Sequence, residues 1–429
     1  YTLWHTLSLH DALPIWGGEL PHRDWIDGGT LSNPVFVSRL DGHMGLANSR
    51  ALELAGITAS TPVPSGGEIV LDPETGEPTG ILKDEAMSLV TRVIPPPSEE
   101  ELDRALDDAI RHAVSHGVTQ THHMGTWEDL ETFRRARADG RLKMRVYSVA
   151  PISTWERLRD FMAENGRGDD RLWWGGLKGF VDGSLGSTTA WFYEPYADDP
   201  STSGLLTTDT ASLRRWAMAG DEAGLQLIIH SIGDKANDWL LDLYQEIVET
   251  RGPEDRRFRM EHAQHLSADA FHRFSELGVI ASMQPYHAID DGRWAEKRIG
   301  PDRIETTYAF RSLLDAGATV AFGSDWTVAP MDVRKGIYAA LTRRTIDGAN
   351  PEGWVPSEKI TLEEALTAYT WGGAEAGFVE DRIGRLEPGK YADLVVLSRN
   401  LFEMDPVDIP TVEVELTMVD GEIVFRNEE

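Results

Sequence analysis

Residues 224–234 read GLQLIIHSIGD, and the fold follows from how this stretch is interpreted. Leu225, Leu227, Ile228 and Ile229 make a short apolar run bounded by Gly224 and Gly233. Such a run predicts a strand covered on both faces, as in a parallel sheet sandwiched between helices. It ends on His230, and a helical pattern over 234–249 follows within a few residues. A histidine at the carboxyl end of a buried parallel strand sits where α/β barrels place their chemistry. A single such histidine is more often a core residue bonded to backbone. Recurrence of the pattern decides between the two.

The pattern does recur. Pro95-Pro96-Pro97 is a hard stop, and Ser98 with Glu101 makes a capping box that opens a helix over 99–115. A strand over 117–124 follows, ending in His122 and His123. Helix 127–138 leads to strand 144–150, helix 153–164 to strand 174–181, and helix 210–222 to the strand of His230. Helix 234–249 leads to strand 258–262, helix 267–277 to strand 279–284, and helix 305–316 to strand 318–323. Alternating βα units imply a parallel sheet. Seven strands are one short of a closed eight-stranded barrel. Polar residues fall at strand ends in turn: His122/His123, Lys178 with Asp182, His230, His262 with His265, Gln284 with His287, and Asp325. Only the carboxyl mouth of a barrel brings such positions together.

The flanks read differently. Residues 17–98 are rich in Gly and Pro, with short strands over 33–39 and 66–71 and a short helix over 50–55 ended by Gly56. After a helix from Thr361 to about Ala376, residues 389–397 and 411–425 alternate as strands around Asp420-Gly421. The first 15 residues, YTLWHTLSLHDALPI, show no period; segment 1–16 is read as non-native read-through, and His5 and His10 are discounted as ligands.

Composition narrows the function classes. The 429 residues hold 71 Asp+Glu against 41 Lys+Arg, a formal charge of −30, which argues against nucleic acid or an anionic membrane surface as partner. No cysteine is present, so thiolate nucleophiles, disulfides and cysteine metal sites are excluded. No apolar run reaches the length of a membrane span, and a cytoplasmic location is the default expectation. Any metal must be held by His, Asp, Glu or Lys; neutral imidazoles and carboxylates are ordinary zinc ligands.

The ordered motifs KGFVDGSLGSTTAW (178–191), HSIGDKA (230–236), EHAQH (261–265), SMQPYH (282–287), FGSDW (322–326) and LEPGKYADLVVL (386–397) resemble the amidohydrolase superfamily. With LDGHMGLANSRAL (40–52) and EPTGILKDEA (77–86), the chain is similar to the family 3 branch related to N-substituted formamide deformylases. The resemblance implies a (β/α)8 TIM-type barrel with a divalent metal, zinc, at its mouth, and a small β-sandwich built from both chain ends. It implies His230, His262 and Asp325 as metal ligands, with Asp325 also the catalytic proton shuttle. Lys178 matches a lysine that is carboxylated and bridges two metals in binuclear members; its alternative is an ion pair with Asp182 or another carboxylate. His43, His265, His287 and Trp326 are candidates for the substrate side, against packing or loop closure. The implied activity is hydrolysis of a non-peptide carbon–nitrogen bond, in an amide or N-substituted formamide, by metal-activated water. Deamination or cyclic-amide hydrolysis is the alternative, and a binding protein without catalysis is a third reading.

The chain departs from the superfamily at one point: no His-x-His occurs in it, whereas the family's first strand ends in that pair. The expectation is a fragment lacking barrel strand 1 and half of the β-sandwich, with one or two metal ions less tightly held and activity impaired. Residues 17–98 are then an insertion between strands 1 and 2, 99–380 the barrel, and 381–429 the remaining sandwich strands. A small-molecule amide is the expected partner, and a homo-oligomer stays open.

Overall fold

The computed structural model describes residues 20–30 and 32–428; the expectations placed on segment 1–16 lie outside them. Four short strands come first: β1 (Phe36–Ser38), β2 (Met44–Ala47), β3 (Gly67–Leu71) and β4 (Pro78–Asp84). They pair antiparallel in the order β1-β2-β4-β3, around a small core of Ala47, Leu52, Ile69 and Leu82. The helix Ser49–Ala55 starts where Asn48 accepts the Ala51 N–H and stops at Gly56 in a left-handed conformation (φ 67°).

The seven expected barrel strands are present. They are β5 (Gln120–Met124), β6 (Arg145–Pro151), β7 (Leu172–Phe180), β8 (Gln226–Ser231), β9 (Arg259–His262), β10 (Ile280–Met283) and β11 (Val320–Phe322). They pair in chain order, each parallel to the next, in one curled α/β sheet. Among the described residues, β5 and β11 each have one neighbour, so the barrel is open between them. Strand alternation builds the two layers of core. In β8, Leu227 and Ile229 pack against the surrounding helices, whereas Ile228 packs inward with Tyr147, Val149, Trp173 and Val379.

Helices Glu99–Ser115, Trp127–Ala138 and Thr210–Glu222 begin and end at the expected positions. The first two open on complete capping boxes, Ser98 with Glu101 and Thr126 with Asp129. The helix expected over 305–316 forms only over Phe310–Asp315, because Tyr308 adopts a left-handed backbone (φ 50°) that interrupts it. Three short helices, Pro285–Asp291, Ala295–Ile299 and Pro301–Ile304, fill the connection from β10 to β11. Their runs are too short to show a 3.6-residue period. No helix among the described residues is long and apolar enough to cross a membrane.

The chain ends in an antiparallel sheet of β12 (Leu394–Leu397), β13 (Val414–Val419) and β14 (Glu422–Arg426). Thr417 donates to the Val114 carbonyl at 2.7 Å, fixing β13 to the first barrel helix. The stronger tie is Arg145 on β6, whose Nε and Nη2 donate to the two Asp393 carboxylate oxygens at 2.6 and 2.8 Å. Both side chains are buried, and Arg145 also stacks over the Tyr391 ring. Asp393→Ala strands a buried guanidinium and is expected to cost about 3–5 kcal/mol. Arg145→Met combined with Asp393→Leu should recover most of that loss, as read by urea and thermal unfolding.

Candidate active site

Five side chains from successive strand ends reach one cavity of about 1310 Å³: Lys178 on β7, His230 on β8, His262 on β9, His287 after β10 and Asp325 after β11. The cavity wall includes both edge strands, so it continues from the mouth into the opening between β5 and β11.

Lys178 has its Nζ 4.6 Å from the Phe180 ring centroid, and burial lowers its pKa. Of the carboxylates that could pair with it, Glu261 and Asp325 act on Lys178, and no ion pair joins it to Asp182 among the described residues. The buried Asp182 carboxylate instead accepts backbone N–H groups from Ile232 (3.0 Å), Gly233 (2.9 Å) and Trp191 (2.8 Å). Gly233 is required there: a Cβ would lie 2.1 Å from the Trp191 carbonyl oxygen. Burial nevertheless pushes the Asp182 carboxyl up to about 7.

His230 is buried, and burial holds its pKa far below the ordinary imidazole value. Its Nε2 lies 3.0 Å from the Gly183 carbonyl oxygen. In the neutral ring that nitrogen carries the proton, and Nδ1 keeps the lone pair. His262 is pushed down to about 3 by burial, and its Nδ1 donates to Gln284 Oε1 at 2.9 Å, leaving the lone pair on Nε2. Two of these residues have left-handed backbone conformations, His262 with φ 76° and Asp325 with φ 56°, which side chains other than glycine rarely adopt. Such conformations concentrate at functional sites.

Burial works to raise the Asp325 carboxyl, but His262, His287 and Lys178 outweigh it and hold it below the usual carboxylate range. The side chain is 35% exposed, so it remains open to the cavity. His287 Nε2 lies 3.8 Å from Asp325 Oδ2 and is buried without a hydrogen-bond partner. One donor atom each from His262, His287 and Asp325 falls within 4.8 Å of the others. Two imidazoles and a carboxylate match the donor chemistry of a divalent transition metal, and the partnerless nitrogen is what such an ion would satisfy.

His43 and Trp326 also stand on the cavity wall. His43 Nδ1 is 2.5 Å from Asp84 Oδ1, and its ring centroid is 5.1 Å from that of His230. Burial lowers the His43 pKa, but the Asp84 carboxylate more than offsets this and keeps it above the ordinary value. Trp326 is 44% exposed, with its ring 5.5 Å from that of His112. His265 is different: it is fully enclosed and does not line the cavity. Its Nδ1 donates to Thr307 Oγ1 at 2.8 Å, and its Nε2 accepts from Gln264 Nε2 at 3.1 Å. His122 lies deeper in the barrel, where Arg259 Nη1 donates to its Nδ1 at 2.6 Å. Arg259 in turn pairs with Glu261 at 2.9 Å, and Ser282 donates to the other Glu261 oxygen.

Asp84, Arg259 and Glu261 were not singled out from the sequence. Arg259 and Glu261, two apart on a buried strand, carried a usable signal, since charges at period two share one face. Asp84 carried none, being 41 residues from His43.

A curled α/β barrel with nitrogen and oxygen donors gathered at its carboxyl mouth defines the class of metal-dependent amidohydrolases. Residues 4–425 match the amidohydrolase family, and the chain belongs to that family. It is 41% identical over 423 residues to protein LONG AFTER FAR-RED 3 of Arabidopsis thaliana, covering 96% of this chain and 72% of the relative. It is 31% identical over 428 residues to the N-substituted formamide deformylase of Arthrobacter pascens, covering 95% of this chain and 76% of that enzyme. Among solved structures it resembles an uncharacterized metal-dependent hydrolase from Pyrococcus horikoshii, with 30% identity and a TM-score of 0.74, covering 91% of this chain and 76% of that one.

The cavity wall also holds Asp291, whose Oδ2 accepts from Tyr308 Oη (2.6 Å) and Gln264 Nε2 (2.9 Å), with Asp290, Arg39 and Asp41 as charged neighbours. Burial pushes it up to about 7, against about 3.9 in an unfolded chain. The folded state therefore holds this proton more tightly, and stability falls as pH rises from about 4 to about 7. Asp291→Asn should melt with wild type near pH 4 and above it at pH 8; a difference independent of pH would refute the assignment.

Proposed function

We propose that the protein hydrolyses a non-peptide carbon–nitrogen bond of a small molecule, an amide or N-substituted formamide, using a divalent metal, zinc, and water. The observation that carries this reading is the convergence of neutral imidazoles and one ionised carboxylate from separate strand ends on a single large cavity. Membership in the amidohydrolase family and the 31% identity to a formamide deformylase support the choice of bond.

In this reading His230, His262 and Asp325 hold the metal, each offering a lone pair at neutral pH. A bound divalent cation lowers the pKa of its water from about 15.7 to about 7 and polarises a carbonyl oxygen. Asp325, ionised and open to the cavity, takes the proton from the attacking water and returns it to the departing nitrogen. Lys178 has no lone pair as an ammonium. The burial that lowers its pKa favours the neutral amine, which is the form that can be carboxylated and so turned into an oxygen ligand. His43, whose pKa the Asp84 carboxylate raises, is placed to donate a hydrogen bond to the substrate carbonyl. Trp326 forms an exposed part of the wall against which the nitrogen substituent would pack.

A panel of N-formyl amines, cyclic amides and aminated rings tests the bond class, with turnover confined to the first group expected. Chelation should abolish that turnover and added zinc restore it. Asp325→Asn should lower kcat by roughly 10²–10⁴. Activity that survives both treatments overturns the reading.

A further inference from the structure

We propose that His287 is itself a metal ligand, joining His262 and Asp325 at the ion. This rests on the metal-dependent reading above and changes the role of one residue in it: His287 moves from the substrate side into the metal shell.

Three observations converge on it. Donor atoms of the trio already lie within 4.8 Å of one another, and His287 Nε2 is 3.8 Å from Asp325 Oδ2. Ligands at about 2.0–2.1 Å from a tetrahedral zinc stand roughly 3.3 Å apart, so closure needs only side-chain adjustment. The second observation is the state of the nitrogens. His287 Nε2 is buried with no hydrogen-bond partner, a condition that is unfavourable when left uncompensated. His262 has already committed Nδ1 to Gln284, so its remaining nitrogen is the lone-pair atom. The third is placement. His287 lies in the first turn of the helix Pro285–Asp291, and Pro285 at its first position fixes that turn directly after β10. The three ligands thus come from the ends of the adjacent strands β9, β10 and β11. The His262 and His287 rings are close to parallel, 13° apart, with centroids 6.2 Å from each other. His230 is not among the residues of this 4.8 Å group; its Nε2 is bonded to Gly183, and Nδ1 is its lone-pair atom.

Cobalt titration followed by absorption spectroscopy, with zinc content by elemental analysis, tests the assignment without relying on turnover. The wild-type chain is expected to bind about one equivalent of cobalt tightly. His287→Gln should lower cobalt affinity at least tenfold and alter the d–d spectrum. His287→Cys gives an independent readout, because the chain has no cysteine of its own. A sulfur-to-cobalt charge-transfer band in that variant reports coordination at this position alone. The inference falls if His287→Gln keeps the wild-type affinity and spectrum, or if His287→Cys shows no such band. A wild-type chain that binds neither metal overturns the metal-dependent reading as well, whereas binding that ignores residue 287 overturns only this inference.

Discussion

The Asp182 carboxylate takes three backbone N–H groups from two different connections, and the mouth of the barrel is organised around that bond set. Trp191 belongs to the long connection after β7, while Ile232 and Gly233 belong to the turn after β8. The Ile232 carbonyl then accepts the His265 N–H at 3.0 Å, and His265 reaches Thr307 before β11. One buried acid therefore begins a chain of hydrogen bonds that links the ends of β7, β8 and β9 to the approach to β11. His230, at the end of β8, sits 3.7 Å from Asp182 and inherits its position from this network. His265 belongs to the scaffold that holds the loops apart, which explains why it is enclosed away from the cavity.

The electrostatics of the site follow from the same enclosure. Burial keeps His230 and His262 neutral, while the Asp325 carboxyl stays below the usual carboxylate range. Lone pairs and one negative charge are therefore present together near neutral pH without any group being protonated out of use. Below them, Arg259, Glu261, Ser282 and His122 form a satisfied polar floor. A chain with a formal charge of −30 thus encloses several basic side chains in its barrel, each beside a partner or an aromatic face.

Much of this was legible in the sequence. Most of the seven parallel strands announced themselves as apolar runs, and the Ser98–Glu101 capping box placed the start of the first barrel helix to the residue. The polar strand ends identified Lys178, His230, His262, His287 and Asp325 as a group, because topology alone brings those ends together. Three kinds of feature were not legible. The helices between β10 and β11 are each shorter than two turns, so periodicity has nothing to act on. The His43–Asp84 pair joins residues far apart in sequence, which no local pattern encodes. The left-handed conformations of His262 and Asp325 depend on tertiary packing, since propensity alone argues against them.

That backbone reversal has a consequence for β9. A regular strand sends consecutive side chains to opposite faces, so Glu261 pointing inward would send His262 out among the helices. With φ at 76°, His262 turns back, and two successive residues address the interior of the barrel. Glu261 is anchored in the floor by Arg259 and Ser282, and His262 stands at the mouth. A single peptide unit therefore spans the thickness between the two. Any repacking of the floor is transmitted to the imidazole through one rigid plane, without an intervening side chain to absorb it.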